Sequence, residues 1–296
     1  MNTPVWQLKK TMCDIGQRIW QRAYCAGNEG NHSVRIGENR LLCTPSGLSK
    51  GFLAPEDICV VDMAGKQVEA NPRGRVPTSE ILVHLAVYKT RPDVQAVIHS
   101  HSPHATAFAI ANMPIPQGIH PEAEIFLGKV PIARYATPST QQLSDSIMPL
   151  IGPETNSIIM GNHGSISFSN KDLVEAYYLL EILDAYCRLL LLASQIGRVN
   201  VLKTEQMADL LNVKTKFGLT DDRIACIDDG CVGTDNEPYL ASIDVRPASA
   251  TCACNGGHVD STQRTGAVID QPVANDVVFE DLVRTITDQI VSATGH

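Results

Sequence analysis

The sequence predicts an α/β layered domain with a mixed, mostly antiparallel central sheet flanked by helices. Three observations carry this expectation. Runs of strand-like alternation interleave with runs whose apolar residues recur at helical spacing. Several strand-like runs follow one another across short turns such as Gly37-Glu38-Asn39, which suits hairpins rather than a doubly wound parallel sheet. The 296 residues are enough for one large domain, or for a domain of roughly 200 residues with an appendage.

Taken in order, residues 6–26 have helical apolar spacing and end at Gly27-Asn28-Glu29-Gly30. Residues 31–36 and 40–44 read as two short strands, Thr44-Pro45-Ser46-Gly47 as a loop, and residues 58–62 as a third strand. Pro77-Thr78-Ser79-Glu80 then opens a helix through Tyr88, with hydroxyls as capping candidates and an acid in its first turn. A strand through His99, a helix at about 104–112, a strand at 131–135 and a helical segment near 141–151 follow. Residues 157–160 and 165–168 form a predicted hairpin with His163 between its arms. A long helix over about 171–195 stops at Gly197.

Composition narrows the function. With 44% hydrophobic and 19% charged residues the chain is globular, and a net charge of -8 without a basic run argues against nucleic acid. The start, Met1-Asn2-Thr3-Pro4, leads into a polar, lysine-containing segment without a signal-peptide core, so a cytoplasmic location is expected. Glu181, Asp184 and Arg188 interrupt the most apolar window, which reads as a buried helix and not a membrane span. Nine cysteines, with Cys43, Cys59 and Cys187 set singly in apolar runs, suggest reduced buried thiols.

The texture changes near residue 224. Three parts are expected: a catalytic domain at 1–223, a flexible linker at 224–274, and an amphipathic helical tail at 275–296. The tail's stripe is Phe279, Leu282, Val283, Ile286, Ile290 and Val291, a layout that suits a docking peptide or a helix folded back on its own domain. Cys226, Cys231, Cys252 and Cys254 match no common zinc spacing.

The chemistry centres on His99-Ser100-His101. In a strand these two imidazoles share a face, and His163 sits in the glycine-flanked Asn162-His163-Gly164 turn. Three neutral nitrogens plus an open position suit a catalytic metal. Spacing alone is equally compatible with a solvated strand face. Glu80 reads either as a catalytic acid or as a first-turn acid on the helix dipole. Hydroxyls and backbone N–H groups at Thr78-Ser79, with small residues at Gly30 and Gly47, suit a phosphate, and no Walker-type lysine points to a nucleotide. His84 reads as a packing or hydrogen-bonding residue, while His104 and His120 have no assigned role.

Five stretches in order resemble the class II aldolase/adducin family: residues 30–35, Thr44-Pro45-Ser46-Gly47, Pro77-Thr78-Ser79-Glu80, His99-Ser100-His101 and Asn162-His163-Gly164. The resemblance spans roughly residues 5–222. It implies metal ligands His99, His101, His163 and Glu80, with Zn2+ expected and Mn2+, Co2+ or Fe2+ as alternatives. It implies Glu80 as the catalytic carboxylate, and a phosphate pocket of Gly30, Asn31, Ser46, Gly47, Thr78 and Ser79. The implied activity is cleavage of a deoxyketose 1-phosphate, L-fuculose 1-phosphate or similar, to dihydroxyacetone phosphate and lactaldehyde. Within the same fold, a pentulose-5-phosphate 4-epimerase or a sugar-acid phosphate decarboxylase is the alternative. A non-catalytic adducin-like interaction protein is the alternative of another class.

The resemblance also implies a homotetramer. The tail resembles peptides that bring enzymes to a bacterial microcompartment shell. Two departures stand out: the family's tyrosine after an Ile-His pair is Pro121 here, and its C-terminal tyrosine is Phe217. Glu122 or Glu124 is the candidate replacement on the aldehyde side.

Overall fold

The computed structural model describes residues 3–227, 236, 239 and 240. Its centre is a seven-stranded sheet in the order β3-β2-β1-β4-β7-β6-β5. The strands are β1 (Asn31–Gly37), β2 (Arg40–Cys43), β3 (Cys59–Val61), β4 (Ala96–Ser100), β5 (Ile132–Ala133), β6 (Ser157–Met160) and β7 (Gly164–Ser169). Every neighbouring pair is antiparallel except β5 on β6. The expected mixed, mostly antiparallel sheet is what the chain forms.

Strand alternation sorts the core into two faces. Val97 and Ile166, with Leu41, Val61 and Ile158, pack under α2 (Ile81–Thr90) and α4 (Gln141–Ile147) through Val83, Val87, Leu143 and Ile147. Ile98, Val34, Leu42 and Val60 face the other way, against α1 (Val5–Gln21) and the start of α5 (Leu173–Ile196). α3 (Pro103–Ala111) packs with the later turns of α5 around Phe108 and Leu183. On β1, with Val34 on the α1 face, the intervening Asn31 and Ser33 turn toward α2.

Several boundaries differ from the sequence reading. Helix α2 starts at Ile81, and Glu80 is its N-cap residue rather than a first-turn acid. Strand β4 ends at Ser100, so His101 lies just beyond the ladder. Two elements were not anticipated: a short π-helix, Ala123–Leu127, and α6 (Thr204–Lys216). The long helix does end at Gly197, whose N–H bonds to the Ala193 carbonyl.

Cys25, Cys43, Cys59 and Cys187 are buried free thiols. Among the described residues no helix is long and apolar enough to cross a membrane. The chain divides into Met1–Arg246 and Pro247–His296, and all described residues belong to the first unit. Tyr239, from the segment expected as linker, is buried with Leu183 and Leu190 in the α3–α5 cluster. The amphipathic tail 275–296 and Cys231, Cys252 and Cys254 lie outside the described residues, as does the side chain of Cys226.

His32 ties α1 to the sheet: it is fully buried and its Nε2 bonds the Met12 carbonyl at 2.9 Å. Burial pushes its pKa down from 6.5 to about 3, against the raising effect of the Met12 bond. Between these values the unfolded chain holds a proton that the folded chain lacks. Stability therefore falls as pH drops through that window and is unaffected by this group above it. Urea unfolding at pH 7 and pH 5 should show a smaller acid loss in His32→Gln than in the wild type. Equal losses in the two would remove His32 from the acid response.

Candidate active site

The site lies at the end of the sheet where β4 stops and β7 begins, with β1 starting alongside. Antiparallel register sets Asn31 opposite His99 on one side and Ile166 opposite His99 on the other. Between β6 and β7 the chain reverses in a tight turn: the His163 N–H reaches the Met160 carbonyl, and Asn162 takes a left-handed φ of 55°. Gly164 follows for a steric reason. A Cβ there would lie 2.5 Å from the Ser100 carbonyl oxygen and 2.9 Å from the His101 ring.

The three imidazoles converge. One nitrogen from each of His99, His101 and His163 lies within 4.8 Å of the others, and the ring centroids are 4.7 to 5.0 Å apart. His99 Nδ1 donates to the Ser165 carbonyl at 2.9 Å, which fixes the ring and aims its Nε2 inward. Burial, then His99, pushes His101 and His163 down to about 4 against the opposing pull of Glu80, so both are neutral near pH 7.

Glu80 closes the cluster, with Oε2 at 3.3 Å from His99 Nε2 and Oε1 at 3.4 Å from His163 Nε2. Burial pushes its carboxyl up, but the hydrogen bonds and charges of its neighbours, His99 first, outweigh that. The group is held well below the ordinary carboxylate range. Oε1 is buried without a hydrogen-bond partner. Three convergent imidazole nitrogens and a carboxylate oxygen with nothing to accept from form a donor set that fits a divalent cation.

The expected phosphate residues line two neighbouring loops. Pro45 and Pro77 form an isolated bridge, the Ser46 N–H bonds the Val76 carbonyl, and the Thr78 N–H bonds the Thr44 carbonyl. Ser46, Gly47 and Ser79 are exposed, whereas Thr78 is buried and its hydroxyl accepts from the Glu80 N–H. The Thr78 N–H is thus already used, and the helix starts beyond it. Gly30 has φ of 73° and sits under the His99 carbonyl. Asn31 departs most from expectation, since its carboxamide bonds both Glu80 and His84.

One contributor went unread. Lys50 is buried, and its ammonium donates to the Asn28 and Leu48 carbonyls at 2.7 and 2.6 Å, joining the loop before Gly30 to the loop after Gly47. Burial pushes it down to about 8. A lone lysine in a loop carries no sequence signal of such burial.

The remaining histidines stand apart from the cluster. His104 Nδ1 bonds Asp184, whose other oxygen accepts from the N–H groups of His104 and Ala105 and so caps α3. His120 pairs with Glu122 at 3.3 Å and stacks on Tyr186. Glu124 is excluded as the aldehyde-side replacement: it is buried, accepts from the Gly118 N–H at 2.7 Å and is ion-paired to Arg223. Phe217 lies at the opposite end of the sheet, lining a cavity of about 540 Å³ with Arg91, Asn156 and Phe168.

Residues 10–191 match the model of the class II aldolase and adducin N-terminal domain. An L-fuculose phosphate aldolase of Methanococcus maripaludis is 35% identical over 175 residues, which is 59% of this chain and 91% of that protein. A 3-oxo-tetronate 4-phosphate decarboxylase of Haemophilus influenzae is 30% identical over 210 residues, 69% of this chain and 96% of that protein. Among solved structures, an L-fuculose 1-phosphate aldolase superposes with a TM-score of 0.64 at 28% identity, covering 72% of this chain and 97% of the other.

Chelator-stripped protein should take up one divalent ion per chain, measured by elemental analysis, with a rise in melting temperature. His163→Ala, folded by circular dichroism, should lose that uptake. Full uptake by this variant would mean that the three rings do not act as one ligand set.

Proposed function

The chain belongs to the class II aldolase and adducin family, and on that premise we propose that it is a metal-dependent aldolase. Its substrate is a deoxyketose 1-phosphate, L-fuculose 1-phosphate or a close relative, and its products are dihydroxyacetone phosphate and lactaldehyde. The observation that carries this is the convergence of His99, His101 and His163 on one point, with Glu80 within 3.3 and 3.4 Å of two of the rings.

His99, His101 and His163 would hold the ion, with Glu80 as a fourth donor beside them; Zn2+ suits this donor set, and Mn2+, Co2+ or Fe2+ are alternatives. When bound, the cation would supply Lewis acidity for the ketose oxygens. In cleavage the C3–C4 electron pair stays on C3, and the C4 hydroxyl gives up its proton as it becomes the aldehyde carbonyl. That proton passes through water to the ionised Glu80, which returns it to C3, so no net proton is gained or lost; in the reverse direction Glu80 removes it from C3. A half-buried carboxylate with one oxygen free of hydrogen bonds can take up a proton and give it back. The phosphate is held by Gly30, Asn31, Ser46, Gly47, Thr78 and Ser79. The exposed hydroxyls of Ser46 and Ser79 and the open backbone at Gly47 form its mouth.

A second reading, decarboxylation of a sugar-acid phosphate, is supported by the Haemophilus influenzae relative and by Pro121 in place of a proton-donating tyrosine. It uses the same residues to manage the electron pair left beside the carbonyl. The assembly we propose is a homotetramer, with segment 275–296 addressing the enzyme to a microcompartment shell. Removing that segment should leave turnover intact while abolishing co-localisation with shell protein.

Purified enzyme should release dihydroxyacetone phosphate from L-fuculose 1-phosphate and lose that activity to a chelator. Glu80→Gln should lower turnover by roughly 10²- to 10⁴-fold, the usual contribution of general acid–base catalysis. Carbon dioxide release from an oxo-tetronate phosphate, without cleavage of any ketose 1-phosphate, would replace this reading with the second one.

A further inference from the structure

Helix α2 and strand β1 face each other with matched periods. Glu80, His84 and Tyr88 recur every fourth residue on the helix, and Asn31 and Ser33 every second residue on the strand. Together they form an unbroken hydrogen-bonded line. Tyr88 Oη lies 2.9 Å from Ser33 Oγ, and Ser33 Oγ 2.7 Å from His84 Nδ1. His84 Nε2 lies 2.5 Å from Asn31 Oδ1, and Asn31 Nδ2 lies 2.9 Å from Glu80 Oε2. Tyr88, Ser33, His84 and Asn31 are all buried, at 4% exposure or less.

Only one arrangement of hydrogens satisfies every link. The Glu80 carboxylate can only accept, so Asn31 must present its amide NH₂ to it and its oxygen to His84. That oxygen also only accepts, so His84 must carry its hydrogen on Nε2. Burial keeps His84 neutral, with its pKa pushed down to about 3, so Nδ1 bears a lone pair. Ser33 therefore donates to Nδ1, and Tyr88 donates to Ser33. All four donors point toward Glu80.

We propose that His84 is a positioning residue that acts through Asn31 to anchor Oε2 of Glu80, reserving the partnerless Oε1 for the substrate carbon. This rests on the reading of Glu80 as the proton-carrying group. It also gives the Asn31 carboxamide a duty toward Glu80 in addition to the phosphate contact implied for this residue by the family resemblance. Oε1 is the oxygen left for reaction because the line of donors ends on its twin.

The first test needs no activity. In metal-stripped, full-length protein, nitrogen–proton correlation spectra of the imidazoles should show His84 as a single tautomer, protonated at Nε2 and bare at Nδ1. In Asn31→Ala, where the acceptor is gone, His84 should lose that fixed state. The second test is kinetic. His84→Phe should lower kcat by on the order of 10- to 100-fold, as expected when an outer partner of a site group is lost. KM for the ketose 1-phosphate and the metal content per chain should stay unchanged. His84→Gln, which keeps a nitrogen donor near the Nε2 position, should recover most of the rate.

An Nδ1-protonated His84 in the wild type would overturn the proposal, as would full kcat in His84→Phe or a loss confined to KM or metal content. Should the protein prove not to be an aldolase, the tautomer measurement still decides whether the line exists. Should Glu80→Gln be inactive while His84 has the wrong tautomer, the aldolase reading stands and this inference falls.

Discussion

The constraint on which this molecule turns is the crowding of like electron density at one end of its sheet. His99 Nε2 and His101 Nε2 lie 3.1 Å apart, and a carboxylate sits beside two of the three rings. Lone pairs gathered where little water can reach are unfavourable unless a cation or a donor answers them. Holding them there takes rigid support. The β4–β7 ladder and the tight turn before Gly164 supply it, because neither ring strand can relax without breaking backbone bonds on both sides.

The same constraint explains why α2 lies over β1 and β4. A helix that brings a side chain to the sheet at every fourth residue meets strands that do so at every second, and the match delivers Glu80 to the strand end occupied by His99. Hydrogen bonds fix the groups at this end: Asn31 meets Glu80, and the Ser165 carbonyl meets His99. Arginine and lysine networks lie elsewhere: Arg223 bridges Asp221 and Glu124 while Lys214 joins Asp221, and Arg73 and Arg75 both meet Asp57. That division leaves the site with unspent affinity for a cation.

Much of this was legible in the sequence, and the reasons are local. Short runs rich in apolar and β-branched residues, bounded by turns, located most of the strands, because β3, β4, β6 and β7 are buried on both faces. The His-x-His pair and the glycine-flanked histidine were visible for the same reason: a backbone that must approach a ring tolerates only glycine. What stayed hidden depends on partners far along the chain. The π-helix at Ala123–Leu127 is held through Glu124 to Arg223, about a hundred residues away, and no local pattern encodes it. Helix α6 buries only Met207, Leu211 and the lysine Lys214, too thin an apolar stripe to stand out. The fate of Asn31 was invisible as well, since an asparagine after glycine looks alike whether it meets a phosphate or a carboxylate.

Aldol cleavage and decarboxylation share one half of their chemistry: a bond breaks beside a carbonyl, and the electron pair must be held and then protonated. The residues suited to that half are built into the sheet and α2, where a shift in register would turn every side chain to the wrong face. What distinguishes the reactions is the departing fragment, and its contacts come from elsewhere. In this chain Glu124 is spent on Arg223 and Gly118, Pro121 has no hydroxyl, and Phe217 packs near Phe126 at the far end of the sheet. On the proposed reading, selectivity for the fragment would fall to residues outside the ladder. A fold divided in this way can keep one electron-handling site while its relatives diverge in the bond they break.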